Sequence, residues 1–197
     1  MIWKKVDSIF IAILFNASIV GVIFPDLDYY YVRTDFFENF IGHRSILTHS
    51  ILIPSLLYFY FKIKKKLNNN FSLLIIGLFL GLVLHLIADI YPKNGYENIS
   101  IKLPGNISIE DLSTLWIFLN IFMSFYFSKM LLNKYYNKKH YRFLYLITGS
   151  IIAFIYVLTE PSNKILIYFT FMTLLLITYF YDRQVDKKLS KLIRSKN

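Results

Sequence analysis

The chain of 197 residues contains no cysteine, and it is poor in charged residues, glycine and proline. Without cysteine it can form neither disulfides nor a thiolate metal site, so any metal must be held by nitrogen and oxygen atoms. Only 17% of the residues are charged whereas 56% are hydrophobic, and the mean hydropathy is +0.48. This balance excludes an ordinary soluble domain and predicts an all-α, polytopic membrane helix bundle.

Six apolar stretches approach the length of about 20 residues that a membrane-spanning helix needs. The third is the least interrupted, whereas the first contains Asn16 and the second contains Pro54, so a bundle of four or five spans is the alternative. Residues 1–181 are interpreted as one transmembrane domain with its motifs in residues 1–95. The stretches lie near 8–24, 46–61, 71–91, 115–132, 143–159 and 165–181.

Lysine and arginine are distributed unevenly between the loops. Most of the 22 basic residues lie at the N-terminus, after the second and fourth stretches, and in the tail 182–197. Because cytoplasmic loops retain Lys and Arg, both termini are predicted to be cytoplasmic, and loops 25–45, 92–114 and 160–164 extracytoplasmic. The net charge of +10 then reflects topology and contact with anionic membrane lipids, and no nucleic-acid partner is predicted. The tail is either a short helix on the inner surface or a frayed terminus.

The third stretch carries polar residues at helical spacing. Gly77, Gly81, His85 and Asp89 follow one another at intervals of four residues. Residues so spaced share one face of a helix, and the glycines allow another helix to approach that face closely. His85 and Asp89 are therefore expected to point towards protein near the outer end, where ionisable groups mark function or pairing. The structural alternative is that Asp89 pairs with Arg44.

The first stretch ends in Phe-Pro-Asp-Leu-Asp. Pro25 is expected to end the helix at the outer interface, so that Asp26 and Asp28 project from a turn. An ordinary turn is the alternative interpretation of this pair. If the outer ends of the first and third helices lie at one interface, the two aspartates meet the polar end of the third helix there.

The densest polar cluster precedes the second helix and contains two imidazoles, a guanidinium and three hydroxyls within residues 42–50. His43 and His49 are six residues apart, which is not one helical face, so His43 is expected in the loop and His49 in the first helical turn. Ser45 and Thr48 are expected to cap that helix unless they have a role in the site.

In this order the motifs resemble the YdjM-like family, described as LexA-regulated, membrane-bound, metal-dependent hydrolases of the inner membrane. The resemblance covers about residues 21–95. Two features differ: the family often has a further histidine near the N-terminus, and its two histidines are usually one residue closer than His43 and His49. The resemblance implies one or two divalent ions, zinc or alternatively manganese or iron. The predicted metal ligands are Asp26, Asp28, His43, His49, His85 and Asp89.

The reaction hypothesis is hydrolysis of an ester or phosphoester by a water that the metal activates. The candidate catalytic residues are Asp28, Arg44 and Thr48. A carboxylate among the three aspartates would act as base, and Arg44 would hold a phosphate oxygen. A site at the level of the outer headgroups favours a lipid or lipid-linked substrate. Two other classes stay open: a metal transporter, and a membrane protein in which a metal only holds the helices together.

Overall fold

The structure is a computed structural model, and it describes residues 2–28, 44–91, 100–103, 107–159 and 163–194. It confirms the all-α helix bundle. A 3-10 turn (Phe24–Asp26) follows the first helix, and a hairpin of β1 (Lys102–Leu103) and β2 (Ile107–Ser108), which the sequence did not predict, precedes the fourth. The described ranges contain six α-helices, α1 (Ile2–Ile23), α2 (Leu52–Ile63), α3 (Asn69–Ile90), α4 (Glu110–Tyr135), α5 (Lys139–Thr159) and α6 (Lys164–Arg194).

Five of the six helices in these ranges are long and apolar enough to cross a membrane. The exception is α2, whose 12 residues extend about 18 Å, against a hydrocarbon core of about 30 Å. The predicted second span is wrong in its first part, because residues 44–51 form turns and α2 begins at Leu52. Pro54 suits this start, since proline lacks an N–H and fits only the first turn of a helix.

Helix α3 lies at the centre of the bundle. It packs against α1, α2, α4 and α6, and it is buried around its whole circumference over most of its length. A helix that is apolar on every side is expected in such a position, because it has no face that prefers water. The polar residues near the end of α3 are therefore surrounded by protein.

Helices α1 and α3 approach each other very closely and in parallel. A Cβ atom on Gly81 would stand 2.0 Å from the carbonyl oxygen of Ser18, and one on Gly77 would stand 2.6 Å from the Cβ of Ala17. The contact exists because these positions have no side chain, as the spacing of the glycines predicted. Residues further along α3 contact residues further along α1, so the two helices end at the same end of the bundle.

The other end of the bundle is basic. The hydroxyl of Tyr136 donates a hydrogen bond of 2.8 Å to the carbonyl oxygen of Asn69, which joins the end of α4 to the start of α3 beside the lysine-rich turns. Lys129 of α4 forms an ion pair with Asp182 of α6. Helix α6 continues to Arg194, so the described part of the basic tail is helical and continuous with the last span.

Candidate metal centre

The candidate site lies where the ends of α1 and α3 meet the turns of residues 44–51. Pro25 lies in the 3-10 turn that carries Asp26, and α3 presents His85 and Asp89 one helical turn apart. His49 lies in the turns before α2, not in the first turn of that helix as predicted. Both imidazoles are buried, so their nitrogen atoms must find partners inside the protein.

Two imidazoles and two carboxylates converge at this point. The Nε2 atoms of His49 and His85 are 3.3 Å apart. Asp89 Oδ2 lies 3.4 Å from Nε2 of His85 and 3.6 Å from Nε2 of His49, and Asp26 Oδ1 lies 3.8 Å from Nε2 of His85. Ligand atoms of Asp26, His49 and His85 all lie within 4.8 Å of one another, so this group could hold a metal ion.

The donor set and its spacing suit a divalent cation. Zinc bonds of about 2.0–2.2 Å in a tetrahedral arrangement place neighbouring ligand atoms about 3.3–3.6 Å apart. The two Nε2 atoms and Asp89 Oδ2 are separated by 3.3 to 3.6 Å. Asp89 Oδ2 is also buried, and its approach to His85 Nε2 at 3.4 Å is longer than a good charge-assisted hydrogen bond. Burying an oxygen in this way is costly, and a cation would offset the cost.

Asp28 lies on the opposite side of the His49 ring. Its Oδ2 atom accepts a hydrogen bond of 2.6 Å from Thr48 Oγ1 and one of 3.1 Å from the backbone N–H of Ser45. Because the hydroxyl proton of Thr48 points to Asp28, its oxygen can accept a hydrogen bond from His49 Nδ1 at 3.0 Å. We infer that neutral His49 carries its proton on Nδ1, which directs the lone pair of Nε2 towards the cluster.

Arg44 pairs with Asp89, which is the structural alternative considered from the sequence. Its Nε atom lies 3.7 Å from Asp89 Oδ1. The backbone of Arg44 has φ = 61°, a left-handed conformation that costs a residue other than glycine about 1–3 kcal/mol. The hairpin stabilises it: the N–H of Lys102 donates to the carbonyl oxygen of Arg44 at 3.1 Å, and the N–H of Ile46 donates to that of Lys102 at 2.9 Å.

The start of α2 depends on a residue that the sequence did not single out. Asn120 Oδ1, from α4, accepts a hydrogen bond of 3.0 Å from the N–H of Ile51, and Ser50 Oγ accepts one of 3.2 Å from the N–H two residues further on. Ser45 and Thr48 therefore do not cap α2 as predicted: the helix begins later, the Thr48 hydroxyl bonds Asp28, and the Ser45 hydroxyl contacts Thr48. A signal for Asn120 was available, since an amide in an apolar span needs a partner.

The predicted site residues that the structure describes all lie together. His43 lies outside the described residues. His140, the histidine with no predicted role, lies at the basic end with its Nε2 atom 3.3 Å from Asp7 Oδ1. The predicted site residues found at the cluster or in contact with it are Asp26, Asp28, Arg44, Thr48, His49, His85 and Asp89.

Comparison with known proteins extends the resemblance found in the motifs. The sequence model of the family described as "YdjM inner membrane protein" matches residues 3–185, well beyond the motif-bearing part of the chain. No curated protein and no solved structure matches the chain. The family description and the five long apolar helices of the described ranges indicate a multi-pass protein of the inner membrane. Since the match covers nearly the whole sequence, the chain belongs to the YdjM inner membrane protein family.

Proposed function

We propose that the protein is a metal-dependent hydrolase that cleaves an ester or phosphoester at the outer face of the inner membrane. The observation that carries this proposal is the convergence of Asp26, His49 and His85, whose ligand atoms lie within 4.8 Å of one another. Asp89 adds a carboxylate oxygen within 3.6 Å of both imidazoles. Nitrogen and oxygen donors at this spacing are typical of a catalytic metal site.

The outer location follows from the distribution of charge. The lysine-rich turns after α2 and α4 lie at the end of the bundle opposite the cluster, and cytoplasmic loops retain such residues. His85 is about 24 Å along α3 from its first residue, at about 1.5 Å per residue. In a hydrocarbon core of about 30 Å the cluster then lies near the outer headgroups.

We assign one divalent cation to Nε2 of His49 and His85 and to the carboxylate of Asp89, which leaves a fourth position for a water beside Asp26. Zinc is the first candidate, and manganese and iron are accepted by the same donors. A bound cation would supply Lewis acidity, which lowers the pKa of a water and polarises a carbonyl or phosphoryl oxygen.

The residues of the chain would then position the reactants and move the proton. Asp26 is the exposed carboxylate of the cluster, with 55% of its side chain accessible, so it accepts the proton of the attacking water. Arg44 offers guanidinium hydrogen bonds to an oxygen of the substrate beside Asp89. Asp28 acts through Thr48 to orient the ring of His49, and we therefore assign it to positioning instead of metal binding.

The first test is the metal content of detergent-purified protein, measured by inductively coupled plasma mass spectrometry. We expect about one equivalent in the wild type and less than a tenth of that in His49→Ala and His85→Ala, because each variant removes a nitrogen ligand. His140→Ala is the matched control, since this histidine lies at the opposite end, and it should keep its metal. Equal metal in His85→Ala and His140→Ala, or none in reconstituted wild type, would contradict the site.

The second half of the test is turnover of phosphoester and ester substrates by the metal-loaded protein. Asp26→Asn should lower the turnover rate by about 100-fold or more, because general base catalysis contributes about 10²–10⁴-fold. Its metal content should fall much less than that of His85→Ala. Turnover that persists in Asp26→Asn, or in the chelated wild type, would refute the proposed mechanism.

A further inference from the structure

An apolar groove runs along the membrane-spanning part of the bundle. Its volume is about 520 Å³, within the range of about 300–1,000 Å³ that is usual for small-molecule sites. Helix α3 forms the floor with Leu74, Leu78 and Leu82, and α1 and α2 form the two walls. Only Asn16 and Ser50 among the lining residues have polar side chains. The groove therefore suits an apolar occupant.

One end of the groove lies near the candidate metal centre. The lining includes residues from three separate segments of the chain, and on each segment the groove reaches a residue close to a member of the cluster. These pairs are Phe24 and Asp26 after α1, Ser50 and His49 before α2, and Leu82 and His85 on α3. A ligand in the groove would thus present its end to the metal ligands.

The groove is also open to the surrounding lipid. Val20 lines it and is 54% exposed, although this residue lies within a span that crosses the hydrocarbon core. Exposed side chains at that depth contact lipid, so a membrane component could enter sideways between α1 and α2. From Ala12 to Phe24 the wall on α1 extends about 18 Å, more than half of the hydrocarbon thickness.

We propose that this groove binds one hydrocarbon chain of a membrane phospholipid, whose phosphate-bearing headgroup then lies at the metal centre. The inference rests on the proposed function and names the substrate class of the same site. The occupant follows from three observations: the lining is apolar, the long axis follows α1 across the membrane, and one end lies near the cluster. Because lipid is as apolar as the groove, the chain gains little affinity there, and the groove serves to position the headgroup.

Photocrosslinking tests the occupant directly. The probe is phosphatidylglycerol with a diazirine in the middle of one acyl chain, incorporated with the protein into phosphatidylcholine vesicles. We expect lining residues such as Ile13, Ile53 and Leu78 to be labelled at least fivefold more than residues on the exposed faces of α5 and α6. Labelling spread evenly over the groove and those faces would overturn the proposal.

A variant that fills the groove makes the test specific. Val20→Trp places a large ring across the open side and should reduce labelling of the lining at least fivefold. The matched control is Ile11→Trp, an exposed position on the same helix that does not line the groove, and it should leave the labelling unchanged. Equal labelling in both variants would refute the groove as the chain site.

The labelling reports occupancy and turnover reports chemistry, so the two proposals can fail separately. If the groove is labelled and Val20→Trp prevents it, the chain site stands even when the metal-loaded protein hydrolyses neither lipid nor soluble ester or phosphoester, and the hydrolase proposal then fails. If the wild type hydrolyses a soluble p-nitrophenyl phosphoester but the groove is not labelled, the hydrolase proposal stands and the chain site is refuted.

Discussion

The hydroxyl group of Thr48 contributes to the orientation of the His49 ring. Thr48 Oγ1 lies 2.6 Å from Asp28 Oδ2 and 3.0 Å from Nδ1 of His49, so it joins a buried carboxylate to a buried imidazole. Groups of this kind around a metal ligand hold its ring in place and select its tautomer. A buried hydrogen-bond network also favours one arrangement of its side chains, because leaving any buried polar group without its partner costs free energy.

At this scale we predict that Thr48→Val lowers metal affinity by about 10- to 100-fold, the usual effect of losing such an orienting group. Valine keeps the shape of threonine but removes the hydrogen bonds to Asp28 and His49. The measurement is a competition titration with a chelator of known affinity. Thr178→Val is the control. Among the residues that the structure describes, the Thr178 hydroxyl donates only to backbone carbonyl oxygens of its own helix. An equal affinity for both variants would contradict the role of Thr48.

Some residues of the site could be predicted from the sequence and others could not. His85 and Asp89 were predictable, because ionisable groups one helical turn apart in an apolar span are costly without a function or a partner. The position of Asp28 on the Nδ1 side of the His49 ring could not be predicted, because it depends on the arrangement of the turns in residues 44–51. Asn120 was missed although its amide in an apolar stretch was a visible signal, because its partner lies in a distant segment.

The close contact between α1 and α3 is the element-scale feature on which the site depends. The two parallel helices bring Asp26 to His85, and the glycines at their contact set the separation of the helix axes. Widening this contact by even a methyl group would move the ligands apart. The packing of two spans and the geometry of the metal centre are therefore coupled.

We expect Gly81→Ala to destabilise the protein by about 1–3 kcal/mol, the usual cost of overpacking, because the new methyl would meet backbone atoms of α1. Metal affinity should fall as well, since Asp28, which orients His49 through Thr48, follows α1 in the chain. Thermal unfolding in detergent and metal content measure the two effects. Gly149→Ala is the control: its methyl would meet the end of the Leu175 side chain at 3.0 Å, which can move. A Gly81→Ala protein as stable as Gly149→Ala would contradict this account.

Hydrophobic stretches and helical spacing in the sequence predicted the long helices, but they did not predict the short elements between them. The spacing of the glycine face identified the contacting side of α3, because the 3.6-residue repeat is a local property. The turns before α2 and the hairpin were not predicted, since Ile46 and Lys102 form their backbone hydrogen bonds across more than fifty residues. The apolar stretch 46–61 predicted a helix from its first residue, but long-range contacts selected turns in residues 46–51.

For the whole molecule, charge separates the two ends of the bundle. The lysine-rich turns lie at the end that contains Asn69, and the acidic and histidine side chains of the candidate centre lie at the other. Because positive residues near spans are retained on the cytoplasmic side, this asymmetry determines the expected orientation. The metal centre would then face the extracytoplasmic side.

The absence of cysteine makes this orientation easy to test. We expect Asn163→Cys to react with a membrane-impermeant maleimide in intact cells, because it lies at the same end as the metal centre, beyond the end of α5. Asn70→Cys, at the start of α3, should react only after the membrane is permeabilised. The two substitutions replace the same residue type at exposed positions, so they are matched. The reverse pattern of labelling would place the centre in the cytoplasm.

From the amino-acid sequence alone one can predict the class of the protein, the approximate spans, the basic end and the polar face of α3. These features depend on composition and on local repeats, which do not need distant contacts. The fold was needed to show which polar groups meet, that α2 is too short to span, and that an apolar groove ends near the candidate metal centre. Local sequence could not predict this, because Asp26, His49 and His85 belong to three segments whose separation is set by helix packing and by the hydrogen bonds that hold the turns.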